Sequence, residues 1–190
     1  MTTLTQERKS QAIAATNSIA MVVVLTSFAM LFATLFLGYA IYRLTSNVWP
    51  PAGMRELPLI IPTLSTALIL LSSLTLWSFQ LSYRKQVIHL LNLAVTILLG
   101  LGFIACQFFL WSTLKHSGLL AGTNIFTSII YAFTWIHVAH MVAAILGLFL
   151  LIPVVVKKNV ARPNLIENVS KFWHFLGIVW LVIYFTIFVL

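Results

Sequence analysis

Long apolar stretches alternate with short polar loops along this chain. The apolar stretches cover residues 17–43, 58–82, 86–114, 122–155 and 169–190. A transmembrane helix needs about 20 mostly apolar residues, and backbone amides in lipid must pair within their own segment. The pattern predicts an all-α, polytopic membrane domain of five transmembrane helices over residues 17–190, after a polar N-terminal tail over residues 1–16. The first stretch is too long for a signal-peptide core, so we expect no cleaved leader.

The composition excludes a soluble globular protein. Of the 190 residues, 61% are hydrophobic and only 7% are charged, and the mean hydropathy is +1.05. A soluble domain usually carries about 25% charged residues. The net charge of +8 would suggest nucleic-acid binding in a soluble chain. In a membrane chain cationic residues fix the orientation instead, so we expect lipid and no nucleic acid as a partner.

The cationic residues separate into two groups when the loops are assigned to alternate sides of the membrane. Eight lie on the side of the N-terminus and three on the opposite side. Because cytoplasmic loops are enriched in Lys and Arg, this distribution predicts the N-terminus inside and the C-terminus outside. The first group is Arg8, Lys9, Arg84, Lys85, Lys157, Lys158, Arg162 and Lys171; the second is Arg43, Arg55 and Lys115.

Histidines are the main candidates for chemistry, because ionisable groups inside membrane helices are usually functional. His137 and His140 are three residues apart and share a helix face, with Thr134 one turn below. Histidines from two helices could bind a heme, or they could be neutral and hydrogen-bonded across helix interfaces. Cys106 is the only cysteine and no carboxylate lies nearby in sequence, which favours the second interpretation. The candidates are His89, His137, His140 and His174.

Acidic residues are absent from the predicted spans. The chain has no aspartate, and Glu7, Glu56 and Glu167 all lie near predicted helix ends or in loops. A proton or ion pathway through a bundle needs carboxylates or a chain of polar groups at mid-depth. The sequence also has no phosphate-binding loop or catalytic triad. We therefore expect no catalytic or metal-binding residue in this chain.

Aromatic residues are concentrated near helix ends and in the last span. We expect Trp49, Trp111 and Trp173 to anchor the helices at the membrane interface. The fifth span is expected to present an aromatic wall to lipid or to a partner. The residues of that wall are Phe172, Trp173, His174, Phe175 and Trp180.

Several motifs, taken in order, resemble those of heme-copper oxidase subunit III. The order and spacing of these motifs carry the resemblance, which covers nearly the whole chain after residue 20. Residues 49–53 resemble W-P-P-x-G, and residues 61–66 resemble L-P-T-L-N-T. In the third span, Gly100, Phe103 and Gln107 resemble G-x-x-F-x-x-x-Q. Residues 134–140 resemble T-G-x-H-x-x-H, and residues 173–181 resemble W-H-F-x-D-x-V-W-L.

The resemblance implies a five-helix, non-catalytic subunit III of a proton-pumping cytochrome c or quinol oxidase in aerobic respiration. Such a subunit lies in the bacterial inner (plasma) membrane and packs against oxidase subunit I, beside the other subunits. It binds no heme or copper itself, since both are in the partner subunit, and it holds structural phospholipids. The implied interface or lipid-cleft residues are Thr134, His137, His140, Trp173, His174 and Trp180, and the implied lipid-headgroup residues are Arg84 and Lys85.

Four positions depart from the family pattern. Phe28, Leu110 and Gly177 stand where the family usually has acids, and Trp135 replaces the glycine that follows the threonine of the fourth-span motif. These departures favour a structural role over proton uptake through this subunit's own carboxylates. Two alternatives remain: an accessory protein of nitric oxide reductase that resembles subunit III, and a heme-binding membrane anchor that uses the histidines.

Overall fold

The computed structural model describes residues 2–47, 59–85, 90–156 and 163–189. These ranges contain five α-helices and no β-strand, apart from an isolated bridge between Ala121 and Asn124. The all-α prediction is therefore confirmed. The helices are α1 (Thr2–Thr45), α2 (Ile60–Arg84), α3 (Leu90–His116), α4 (Ile125–Val156) and α5 (Pro163–Ile183), and α5 continues as a π-helix over Tyr184–Val189.

Each of the five helices is long and apolar enough to cross a membrane, so the predicted number of spans is confirmed. The inside position of the N-terminus stays a prediction. The candidate spans are Ala15–Thr45, Ile60–Arg84, Leu90–His116, Ile125–Pro153 and Asn164–Val189.

Two helix boundaries differ from those expected from hydropathy. Helix α5 begins at Pro163, six residues before the predicted start at 169. Proline is favoured in the first turn of a helix, and the polar residues that follow it lie outside the apolar stretch. Helix α1 begins at Thr2, so the polar tail is helical and continuous with the first span. No Gly or Pro interrupts the chain before Gly38, and the helix therefore extends beyond the apolar segment.

Helices α2, α3, α4 and α5 form a closed four-helix bundle, in which each helix packs against two neighbours. Helix α1 lies outside this ring, against α5 and α4. Only 6% of the residues in its apolar window are buried, compared with 33% to 44% in the other helices. The core of the molecule is therefore the α2–α5 bundle, and α1 is a peripheral helix.

Local signals fix the connection between α3 and α4. Gly118 has a φ of 76° and ends α3, which suits the left-handed conformation that glycine adopts without strain. The amide of Leu119 donates to the carbonyl of Leu114 at 2.9 Å, as in a Schellman cap. Asn124 then caps α4, because its Oδ1 accepts from the Thr127 amide at 2.8 Å. The short loop makes α3 and α4 antiparallel neighbours.

Candidate functional site: polar contacts between the helices

The bundle contains several buried polar side chains that can form hydrogen bonds. A polar group inside a membrane bundle has no bulk water, so its hydrogen bonds must come from the protein or from molecules held within it. Some of these side chains form hydrogen bonds that join one helix to another. The buried polar residues are Ser65, Thr66, Ser72, Thr96, Gln107, Thr127, Thr134, His137 and Ser170.

Among the described residues, three tryptophan indoles donate hydrogen bonds across the helix interfaces. One connects α3 to α4 and two connect α5 to α2. The bonds run from Trp111 Nε1 to Thr134 Oγ1 at 2.9 Å, from Trp173 Nε1 to Ser72 Oγ at 3.1 Å, and from Trp180 Nε1 to Thr66 Oγ1 at 2.9 Å.

Each hydroxyl in these pairs uses both its donor and its acceptor capacity. The Thr134 hydroxyl donates to the Ile130 carbonyl at 2.8 Å while it accepts from the Trp111 indole. The hydroxyls of Thr66 and Ser72 also donate to carbonyls of their own helix, at 2.7 and 2.9 Å. An indole N–H can only donate, and the Ser or Thr hydroxyl beside it supplies the acceptor that the buried tryptophan needs. These pairs are satisfied contacts between helices.

The anchoring prediction is wrong for Trp111 and Trp173. Trp111 is buried, and Trp173 and Trp180 are 0% exposed, so all three face the bundle interior. The aromatic wall expected on α5 is likewise wrong for its two tryptophans, whereas Phe172 and Phe175 are half-buried. The hydroxyls on α2 and α4 explain the difference, because they supply internal acceptors for the indoles. Trp49 lies outside the described residues.

His137 is fully buried inside an aromatic enclosure. Its ring centroid lies 5.4 Å from Trp180, 5.6 Å from Phe103 and 6.2 Å from Phe32. Among the described residues, neither ring nitrogen has a hydrogen-bond partner. A heme ligated here would have to displace these rings, which belong to three different helices. The enclosure therefore disfavours heme ligation by His137.

His140 shares the α4 face with His137 but contacts different neighbours. Its Nδ1 lies 2.6 Å from the Ile136 carbonyl oxygen, which can only accept, so the Nδ1–H donates this hydrogen bond. The ring is half-buried and packs edge-on against Phe28 at 4.4 Å. His137 thus belongs to the bundle core, and His140 belongs to the contact between α4 and α1.

The other predicted candidates lie apart from this core. His174 is half-buried on α5, and Arg84 and Lys85 are exposed at the end of α2. His89 lies outside the described residues. Within the described ranges, no group of three or more His, Cys, Asp or Glu side chains is placed to hold a metal ion.

Three of the four positions that depart from the family pattern have apolar or tightly packed surroundings, whereas Trp135 is exposed. Phe28 packs on His140, and Leu110 is 0% exposed. A Cβ added at Gly177 would lie 3.3 Å from the Ser73 hydroxyl. In the part of the chain that the structure describes, no carboxylate occupies the middle of a span. The interior therefore offers hydrogen bonds between helices and no carboxylate relay.

Sequence reasoning missed two tyrosine contacts at the opposite end of the bundle. The Tyr39 hydroxyl donates to the Thr186 carbonyl at 2.8 Å and so joins α1 to the C-terminal π-helix. The hydroxyls of Tyr184 and Thr63 lie 2.8 Å apart and join the same π-helix to α2. Hydropathy gives no signal for the π-helix, whose geometry determines where these side chains point.

Comparison with known families identifies proteins similar to this chain. The family described as Cytochrome c oxidase subunit III matches residues 2–190. Cytochrome c oxidase subunit 3 of Synechocystis sp. is 29% identical over 179 residues, which cover 89% of this chain and 73% of that protein. The probable subunit 3 of Nocardia farcinica is 31% identical over 177 residues, covering 90% and 86%. The subunit 3 of Gallus gallus is 32% identical over 148 residues, covering 74% of this chain and 54% of that longer protein.

Proposed function

The chain belongs to the cytochrome c oxidase subunit III family, and from this premise we propose that it is a non-catalytic subunit of a proton-pumping terminal oxidase. Family membership makes it a heme-copper oxidase subunit III, a multi-pass membrane protein and part of a multi-subunit oxidase complex. The proposal adds its role in that complex: to pack against subunit I and to hold lipid, in the bacterial plasma membrane during aerobic respiration.

The non-catalytic role is supported mainly by one observation: buried polar groups form hydrogen bonds between the helices. In the three tryptophan–hydroxyl pairs, each hydroxyl accepts from an indole and donates its proton to a carbonyl of its own helix, so these groups serve to join the helices. His137, the most enclosed of the described histidines, is surrounded by aromatic rings. On this proposal heme and copper are held by the partner subunit, and this chain supplies a rigid support beside it.

Packing against subunit I is supported by the peripheral position of α1. Its inward face carries Phe32 and Tyr39, which are 2% and 3% exposed. Its remaining surface is apolar and open, with Ile19, Met30 and Leu37 each more than 60% exposed. Such a surface needs lipid or another transmembrane protein, since it would aggregate in water. We propose that the outward surface of the helices is shared between lipid and the catalytic subunit.

The lipid-holding role is supported by basic residues at one end of the bundle. Arg84 and Lys85 end α2 and are exposed, so their side chains can reach anionic headgroups. Lys171 lies at the same end, but it forms an ion pair with Glu167 at 2.9 Å. Arg84 and Lys85 are therefore the better candidates for phospholipid contacts.

Native mass spectrometry of the oxidase purified from its membrane tests this function. We expect the chain to appear in a complex with a larger subunit and with bound phospholipid. The Arg84→Gln/Lys85→Gln variant should keep the subunit and lose anionic lipid, whereas Lys115→Gln at the opposite helix end serves as the control. A chain that never accompanies a larger subunit would overturn the proposal. Equal lipid content in all three proteins would overturn the headgroup assignment alone.

A further inference from the structure

Gln107 on α3 and His137 on α4 are buried polar side chains that the contacts between the helices leave unused. Both are 0% exposed, and neither has a hydrogen-bond partner among the described residues. The unused atoms are both polar atoms of the amide and both ring nitrogens. A buried polar group without a partner is destabilising, and the surrounding lipid supplies no hydrogen bond. A partner inside the bundle is therefore required.

Two flanking contacts place these side chains in one layer. On α3, Phe103 and Trp111 lie four residues before and four residues after Gln107, so all three share a helix face. The Phe103 ring lies 5.6 Å from the His137 ring, and Trp111 bonds to Thr134, three residues before His137. Because α3 and α4 are antiparallel, Gln107 faces α4 between the levels of Thr134 and His137.

The two side chains form no hydrogen bond with each other, although an amide and an imidazole can each donate and accept. The enclosure of His137 by Phe103, Trp180 and Phe32 requires a small ligand. Among the described residues no carboxylate lies in the middle of a span, which favours a neutral one. Water fits both conditions, since it can donate and accept at once and commonly satisfies buried polar groups. We propose that Gln107 and His137 form an internal hydration site, in which one water bridges the α3 amide and the α4 imidazole.

A high-resolution cryo-electron microscopy map of the intact oxidase complex tests the site directly. We expect a discrete density peak within about 3 Å of both the Gln107 amide and a His137 nitrogen. The peak should disappear in the Gln107→Leu variant. A direct bond between the two side chains, or a layer without such a peak, would overturn the proposal. The wild-type map decides the question even if the variant does not assemble.

A double-mutant cycle tests whether the two residues act through a shared partner. Gln107→Leu and His137→Phe should each lower the melting temperature of the complex. The double variant should lower the melting temperature by little more than the larger single change. Either single change already removes one hydrogen bond to the bridging water, so the second change has less to remove. Gln107→Leu combined with His174→Phe is the control, and its effects should add. Additive losses for Gln107 and His137 would contradict a shared site.

Discussion

The indole of Trp173 lies directly over Gly100, so that a Cβ added at Gly100 would stand 2.5 Å from the Trp173 Cη2 atom. The ring cannot easily move away, because its Nε1 donates to the Ser72 hydroxyl at 3.1 Å. Gly100 on α3 thus leaves the space that is occupied by Trp173, the tryptophan that joins α5 to α2. The close approach of these helices depends on the absence of a side chain at Gly100.

Replacing Gly100 by Ala should therefore destabilise the bundle. The added methyl would force the Trp173 ring off the Ser72 hydroxyl, and overpacking of this kind costs about 1–3 kcal/mol. Thermal unfolding of the purified complex, followed by loss of this subunit, measures the change. Gly102→Ala is the matched control, because its Cβ would have only ordinary contact with Leu68 at 3.6 Å. Equal stability of the two variants would show that the Trp173 ring adjusts freely.

The hydroxyl that accepts from Trp111 should contribute measurably to stability. Thr134→Val keeps the shape of the side chain but leaves the buried indole N–H without its acceptor, at a cost of about 1–3 kcal/mol. Thr34→Val on the exposed part of α1 removes a hydroxyl that bonds only to its own helix, and it should change stability far less. Chemical or thermal denaturation of the two variants in the same detergent compares them. A similar loss in both would argue against the contact between the helices.

His140 should accept an acidic neighbour at position 28. Phe28 packs edge-on against His140 with the ring centroids 4.4 Å apart, so Phe28→Glu places a carboxyl beside an imidazole with which it can form a hydrogen bond. Phe36→Glu is the control, because Phe36 packs against the Phe133 ring at 4.7 Å and has no such partner there. The amount of subunit in purified complexes should be near wild type for Phe28→Glu and low for Phe36→Glu. The double variant Phe28→Glu/His140→Phe should contain as little subunit as Phe36→Glu. If its subunit content stays as high as that of Phe28→Glu alone, the carboxyl does not depend on His140.

The histidines of α4 should not carry a heme. His137 is enclosed by aromatic rings, and His140 donates through Nδ1 to its own helix. His137→Phe and His140→Phe should therefore leave the visible spectrum of the complex unchanged per mole of assembled enzyme. Loss of one heme signal in either variant, with all subunits retained, would favour the heme-anchor alternative.

The sequence predicted the number of spans because hydropathy records which segments avoid water. It could not predict which side of each helix faces the bundle when both sides are apolar. Trp111 and Trp173 show the consequence: their positions near helix ends suggested interfacial anchors, but their partners lie on other helices. The acceptors Ser72 and Thr134 become informative only after the helices are placed side by side.

The same limit applies to the ends of the helices and to Gln107. The start of α5 at Pro163 follows from helix-capping preferences, which hydropathy ignores. Gln107 was recognised within a family motif, but its burial opposite α4 depends on the register set by the Trp111–Thr134 bond. His137 and His140 were correctly placed on one face of α4, whereas their different neighbours depend on the position of α1.

Metal and heme analysis of the chain, alone and with its co-purifying partners, decides whether it is an accessory subunit of an oxidase. We expect affinity purification from native membranes to recover a larger subunit containing heme and copper. The chain separated from that subunit should show no visible absorbance. A heme spectrum from the isolated chain, or a partner that carries heme iron without copper, would contradict an accessory role in an oxygen-reducing oxidase.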